Sequence, residues 1–320
     1  MIHKIINRLS LTFQQLSGDK PFPIKLVNAY VELLRNTKSR ELRNHVIKKH
    51  IKKTTNISQI KEVFIENSNT LIQKTEFPKF IWTMWWQGEE NAPELVQSTL
   101  YYIRKFAETN GYTTVVIDKN NIDKYLVVPE FVYSKLEKGS IGVANFSDLI
   151  RFMLMEQYGG IWLDSTMYVH PDFPIEILER EFSSINHKDN SSQSMDDNIT
   201  NKRWVSFCLS GEKGNIVSRA MRAFLLDQIE NNKVLPDYFI IDFGLDYLYD
   251  EFEEIREIIK SIPIYSSQED IFWLRTHSKD IYDKSEWERE TKRNQIFKSS
   301  YKEDETVINS YFDYLVRRKL

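Results

Sequence analysis

Ser147-Asp148-Leu149-Ile150-Arg151 sets a carboxylate and a guanidinium three residues apart, on one face of a helix. Downstream, Tyr158-Gly159-Gly160 leads into Ile161-Trp162-Leu163-Asp164-Ser165-Thr166. The glycine pair allows a tight turn and lets another group approach closely. The apolar run reads as a strand that carries Asp164 to the carboxyl edge of a sheet, where open α/β sheets hold ligands. Asp148, Arg151 and Asp164 then converge beyond the strand ends. A carboxylate and a guanidinium together can fix sugar hydroxyls bidentately. A divalent cation on the strand-end carboxylate would stabilise a departing diphosphate, and oxygen ligands suit Mn²⁺ or Mg²⁺. A plainer reading makes Asp148 a helix cap and Arg151 half of a surface ion pair, the usual fate of an isolated Asp-x-x-Arg. The continuation through the glycine pair to a strand-terminal Asp favours chemistry.

The elements that must position these residues begin at Pro78. Pro78 to Trp86 is aromatic and β-favouring and reads as a buried first strand. Gln87 to Pro93 is a loop, and Pro93 suits the first turn of a helix that runs to Thr109. Asn110-Gly111 stops it, and Tyr112 to Asp118 is a second strand. This β-loop-α-β order opens a parallel sheet with crossover helices. Ser147 to Tyr158 is the helix before the third strand. Beyond it, Val205 to Leu209 reads as a strand, Ile216 to Ile229 as a helix, and Phe239 to Ile259 as mostly helical. His187 to Arg203, rich in Asn, Asp and Ser, reads as a mobile loop.

Residues 1–76 have a different texture, helical and polar. Leu26, Ala29, Tyr30, Leu33 and Leu34 recur at helical spacing, and a third helix is expected over Ile57 to Ile72. Between them, Lys38, Arg40, Arg43, Lys48, Lys49, Lys52 and Lys53 surround an apolar stripe of Leu42, Val46, Ile47 and Ile51. Either the stripe packs on the remainder of the chain and the lysines are solvated, or residues 38–53 face an anionic membrane surface.

Composition narrows the classes. The 320 residues are 41% hydrophobic and 28% charged, the balance of a soluble globular protein. A net charge of −3 supplies no global field for nucleic acid. The single cysteine, Cys208, excludes an internal disulfide and a Cys/His zinc site. The N-terminus lacks a signal-peptide pattern, and no apolar run approaches the roughly 20 residues that span a bilayer. The expectation is a cytoplasmic protein, or one peripheral on the inner face of the membrane.

The run from Phe146 to Val169, with Asp148, Arg151 and Asp164 in it, resembles the central motif of the capsular polysaccharide synthesis glycosyltransferases. More distantly it resembles the DXD sugar-binding region of glycosyltransferase family 32. Trp85-Trp86-Gln87-Gly88-Glu89-Glu90-Asn91-Ala92-Pro93 is similar to that family's W-x-Q-G-x-x-x-A-P pattern, and Asp237-Tyr238-Phe239 is a weaker match. The resemblance covers residues 77–320 and leaves 1–76 as a helical extension. It implies a GT-A type fold, a Rossmann-like mixed sheet flanked by helices. It implies a nucleotide-sugar donor, usually UDP-linked, and transfer with retention. The acceptor would be a surface polysaccharide or lipid-linked oligosaccharide.

Carried onto this chain, the resemblance assigns Asp148 and Arg151 to the donor sugar and Asp164 to the metal or the ribose. Phe80, Ile81 and Trp82 would line the base pocket, and Gln87, Gly159 and Gly160 would approach the donor. Two positions depart from the pattern. Thr166 stands where a second Asp would hold the metal, and Phe297 stands where a His precedes a Lys, here Lys302. Lys302 is a candidate diphosphate partner, set against the commoner reading of a solvated surface lysine, and Asp242 a candidate for the acceptor side. A sugar-phosphate transferase and a non-catalytic sugar-nucleotide or glycan-binding module are the alternatives.

Overall fold

The computed structural model describes residues 2–17, 19–68, 76–187, 199–266, 268–302 and 307–320. Most of the expected loop over His187 to Arg203 therefore lies outside the described residues.

Phe80–Met84 (β1) and Thr113–Ile117 (β2) pair in parallel through a crossover helix, Glu94–Thr109 (α5). Gly160–Leu163 (β3) pairs in parallel with the other side of β1. After β3 the chain turns into Met167–Val169 (β4), then Phe182–Ser184 (β5) and Asn186–His187 (β6). Cys208–Gly211 (β7) runs antiparallel to β3, and β5 antiparallel to β7. The result is a mixed five-stranded sheet of order β2-β1-β3-β7-β5. Ile264–Ser266 (β8) pairs with β6, and Ile296–Lys298 (β9) runs antiparallel to β4.

The period of two along each strand divides the core. Ile81 and Ile161 face one layer, with α5, β4, β9 and the helices Gln268–Thr276 (α11), Lys284–Arg293 (α12) and Tyr311–Val316 (α13). Trp82 and Trp162 face the other, with Val143–Gln157 (α7), Ile216–Asn231 (α8) and Ile240–Glu251 (α9). A short helix, Glu130–Glu137 (α6), joins this second layer.

Four helices precede the sheet: Ile2–Ser17 (α1), Phe22–Leu34 (α2), Thr37–Thr54 (α3) and Ile57–Ser68 (α4). Asn36 starts α3 by accepting from the Ser39 amide at 2.9 Å, an N-cap that satisfies an otherwise unpaired donor. Ile47 and Ile51 of α3 and Ile60 and Val63 of α4 are buried in the same cluster as Trp162 and Phe146. Helices α3 and α4 thus share a core with the sheet region. The expected third helix reaches Ser68, and residues 69–75 lie outside the described ones.

Three boundaries differ from the sequence pattern. The third helix of the sheet region begins at Val143, so Asp148 sits in its interior and is not a cap. The strand expected at Val205 lies at Cys208–Gly211, because the Val205 amide donates to the Ser184 hydroxyl at 3.0 Å instead of joining a ladder. The helical stretch after Phe239 is broken at Phe252, before Glu253–Lys260 (α10). Phe252 is extended there, and its ring stacks on Phe64 of α4 at 4.5 Å.

Candidate functional site

Asp164 is the first residue beyond β3, at the carboxyl end of the parallel strands. Its backbone is tied on several sides. The Asp164 amide donates to the Phe207 carbonyl at 2.9 Å, and the Met167 amide donates to the Asp164 carbonyl at 2.9 Å. The Thr99 hydroxyl of α5 donates to the Ser165 carbonyl, and the Ser299 amide donates to the Thr166 carbonyl at 3.0 Å. The turn is therefore fixed before any ligand arrives.

The structure brings Asp148, Arg151 and Asp164 together. Arg151 Nη2 lies 3.0 Å from Asp148 Oδ1 and 3.5 Å from Asp164 Oδ1. The guanidinium also donates to the Ser206 carbonyl and, at 3.3 Å, to the Ser147 carbonyl. It stands 4.9 Å over the Trp162 ring, where the face of the indole attracts a cation. Trp162 Nε1 donates to Asp164 Oδ1 at 3.0 Å. A fourth charge completes the set: Lys298 Nζ donates to Asp164 Oδ2 at 2.7 Å. It arrives on β9, where Lys298 is the register partner of Met167.

Environment separates the two carboxylates. Burial, with the Asp164 charge adding to it, pushes the Asp148 carboxyl up to about 6 against the pull of Arg151. Burial acts the same way on Asp164, but Lys298 and Arg151 outweigh it and hold that carboxyl at about 2. Lys298 is pulled down from its usual value, by burial first and against the opposing Asp164 charge. Asp164 keeps 28% of its side chain exposed and Lys298 18%, so a solute reaches both. Asp164 and Lys298, partly open to solvent at the end of the parallel strands and backed by the buried pair of Asp148 and Arg151, suit an anionic, polyhydroxylated ligand.

A model of the family described as capsular polysaccharide synthesis protein matches residues 28–315. The chain belongs to that family. The match crosses the boundary expected at residue 76 and takes in α3, α4 and most of α2. The comparison with curated proteins gives no match. Among solved structures, the chain is similar to the crystal structure of a glycosyltransferase involved in the glycosylation of the major capsid of PBCV-1. That similarity is at 10% identity and a TM-score of 0.31, over 74% of this chain and 97% of the other.

The remaining candidates of this capsular family member lie apart from the four charges. Phe80, Ile81 and Trp82 start β1, Gly160 starts β3 and Gly159 precedes it, at the amino ends of those strands. Gly159 and Gly160 have φ of +71 and +106. A Cβ on Gly160 would meet the Phe80 carbonyl oxygen at 2.6 Å, and one on Gly159 the Lys213 amide nitrogen at 2.6 Å. Trp82 Nε1 donates to the Gly159 carbonyl at 2.8 Å. The close approach that the glycines permit is therefore by protein. Gln87 is exposed in the loop after β1, and Lys302 is exposed beyond β9. Phe297 is buried against Trp287 and Tyr168. Asp242 is buried on α9 and accepts from Trp204 Nε1 at 3.0 Å.

Tyr238 borders the charges, and Tyr301 lies near Tyr238. Tyr238 is exposed, its carbonyl accepts from Asn145 of α7 at 3.0 Å, and its phenol is raised by burial and then by the charges of Asp148 and Asp164. Tyr301, also exposed, packs edge-on against Trp85 at 5.3 Å.

Asp164 and Thr166 do not fit a protein-held divalent cation. Asp164 Oδ2 is taken by an ammonium, and Oδ1 by an indole N–H with a guanidinium nearby. Thr166 is buried and offers no charge. Among the described residues no group of three or more His, Cys, Asp or Glu is placed to hold a metal. Lys298 is the residue that sequence reasoning missed. Its chain-local surroundings, Phe297 and Ser299, carry no motif, and Lys302 drew the attention instead.

Proposed function

We propose that the protein is a glycosyltransferase of GT-A type that moves a sugar from a UDP-linked donor to a capsular or lipid-linked oligosaccharide acceptor. The observation that carries this is the cluster of Asp148, Arg151, Asp164 and Lys298 at the carboxyl ends of the parallel strands. In this reading Lys298 meets the diphosphate, and Asp148, held in place by Arg151, orients the sugar. Tyr238 and Tyr301 offer ring faces to a glycan, which stacks well on amphipathic aromatics. Family membership supports a role in capsule synthesis. Retention of configuration belongs to the same proposal and is read from the anomer of the product by NMR.

The test is a panel of UDP- and GDP-sugars, with released nucleotide separated by chromatography. Release of UDP supports glycosyl transfer. Release of UMP makes the protein a sugar-phosphate transferase. Binding without turnover of any donor makes it a non-catalytic module.

A lipid-linked acceptor brings a membrane surface with it. No described helix is long and apolar enough to cross a membrane. Large apolar side chains are exposed on α1 and α2, among them Phe13, Phe22, Leu26, Leu33 and Leu34. Exposed Lys38, Lys49 and Lys53 follow on α3. Apolar exposure next to basic charge supports peripheral contact with an anionic leaflet.

A further inference from the structure

A glycosyl transfer from a nucleoside diphosphate leaves two phosphates with growing negative charge, and something must meet that charge as the bond to the sugar breaks. A divalent cation on paired carboxylates is one solution. The residues here are arranged for another. Each carboxylate in the cluster already answers a cation of the chain itself, Asp148 through Arg151 and Asp164 through Lys298. A divalent ion on Asp164 would have to displace the ammonium 2.7 Å away or sit beside it unshielded.

We infer that Lys298 does the work of the metal, meeting the donor diphosphate directly, and that the protein binds and turns over its donor without a divalent cation. This rests on the glycosyltransferase reading above.

The two cations of the cluster are not equivalent, and the difference selects Lys298. Arg151 is committed: its guanidinium donates to the Ser206 and Ser147 carbonyls, contacts Asp148, and lies over Trp162. It is a clamp that holds Asp148 and Asp164 in place. An ammonium has three donors. Lys298 gives one of them to Asp164 and lies 5.1 Å from the Phe207 ring, which leaves donors for a ligand. Asp164 is then a positioning residue. Its carboxylate, fixed by Trp162 Nε1, holds the lysine at the mouth of the site, and its charge opposes the lowering that burial imposes on the ammonium. As the sugar–oxygen bond breaks, the electron pair goes to the diphosphate oxygen. The acceptor hydroxyl forms the new bond to the anomeric carbon and gives up its proton to the departing diphosphate, and Lys298 stabilises the diphosphate charge by hydrogen bonding, with no change of oxidation state.

The experiment is calorimetric titration of UDP and, separately, GDP into the full chain in excess EDTA, then with Mn²⁺ in place of EDTA. The proteins are wild type, Lys298→Gln and Lys298→Arg, each checked for folding by thermal melt. The expected result is nucleotide binding in EDTA within about 2-fold of that in Mn²⁺. Lys298→Gln should weaken it roughly 10-fold or more, the scale of one charged hydrogen bond, with no rescue by Mn²⁺. Lys298→Arg keeps the charge and should recover most of the loss. Donor turnover in EDTA should follow the same order. Binding that appears only with Mn²⁺ overturns the inference and leaves the glycosyltransferase reading intact. Equal binding by wild type and a folded Lys298→Gln also overturns it. Absence of nucleotide binding under both conditions, with no donor turned over, overturns both.

Discussion

Two charged networks run through this molecule, and they differ in where they end and in what solvent can reach. One is the cluster of Asp148, Arg151, Asp164 and Lys298 beyond β3. The other joins the N-terminal helices to the segment around α9. There Arg43 of α3 pairs with Asp237, Lys48 contacts Asp246 at 2.6 Å, and Lys52 contacts Glu251 at 2.6 Å. Arg203 also pairs with Asp246 while lying 4.1 Å over the Tyr249 ring. Both networks pair carboxylates with cations, and both stack an arginine on an aromatic ring. The first ends on a carboxylate with 28% of its side chain exposed at the edge of parallel strands. The second ends on Asp246, whose side chain is 3% exposed inside the helical layer. Charge pairing alone does not mark a ligand site. What sets the first network apart is access from solvent at its end and its position beyond the strand ends.

Substitution should separate the two networks. Asp164→Asn removes the anchor of Lys298 while keeping its shape. Donor turnover should fall about 100-fold or more, the scale of losing one preorganised charge, with the melting temperature little changed. More than half the activity in a folded variant would put the chemistry elsewhere.

Asp246→Asn should do the reverse. Loss of about 2–3 kcal/mol in stability is expected, toward the low end for a broken buried pair because Lys48 stays partly in water. Denaturant unfolding measures it, and turnover per folded molecule should stay at the wild-type level. A kinetic defect at Asp246 with full stability would join the two networks functionally.

The pH dependence of stability sharpens the contrast within the first network. Asp148 is raised to about 6 in the folded state, so the fold binds its proton more tightly than the unfolded chain. Its ionisation therefore costs stability above pH 6, and that cost is relieved as pH falls from about 6 toward 4. Asp164, held at about 2, contributes the opposite way, and its contribution is lost only as pH falls from about 4 through 2. Between pH 6.5 and 4, wild type should gain roughly 1–3 kcal/mol relative to Asp148→Asn. A constant difference between the two across that window would remove the assigned ionisation.

The smallest effect concerns the outer face of the second region. Lys48 and Lys52 are engaged with α9, so the exposed lysines of α3 are the ones to change. Replacing Lys38, Lys49 and Lys53 by Gln should reduce co-sedimentation with anionic vesicles at low salt. The expected loss is about 1 kcal/mol per charge near the surface, with donor binding unaffected. Equal sedimentation of the variant and wild type would confine α3 to its packing role.

Much of the candidate site's geometry was legible in the sequence, because the convergence of Asp148, Arg151 and Asp164 is set by local rules. A spacing of three puts Asp148 and Arg151 on one helical face, and a short apolar strand carries Asp164 to its end. The parallel opening of the sheet was legible for the same reason, from strand, helix and strand in order. The base pocket expected at Phe80 to Trp82 shows the limit of that reasoning. Strand pattern locates a segment, but only the parallel register of β1 with β3 shows that these residues start at the far end from Asp164.

The sequence by itself determined the helix, the strand and the carboxylate at its tip, since periodicity and turn chemistry act between near neighbours. Only the tertiary structure decided that Lys298, 134 residues from Asp164, faces that carboxylate and that Lys302 does not. The reason is the antiparallel register of β9 on β4, which sets Lys298 opposite Met167. Register between distant strands is chosen by the packing of Tyr168, Phe297 and Trp287 in the core, not by any pattern within either strand.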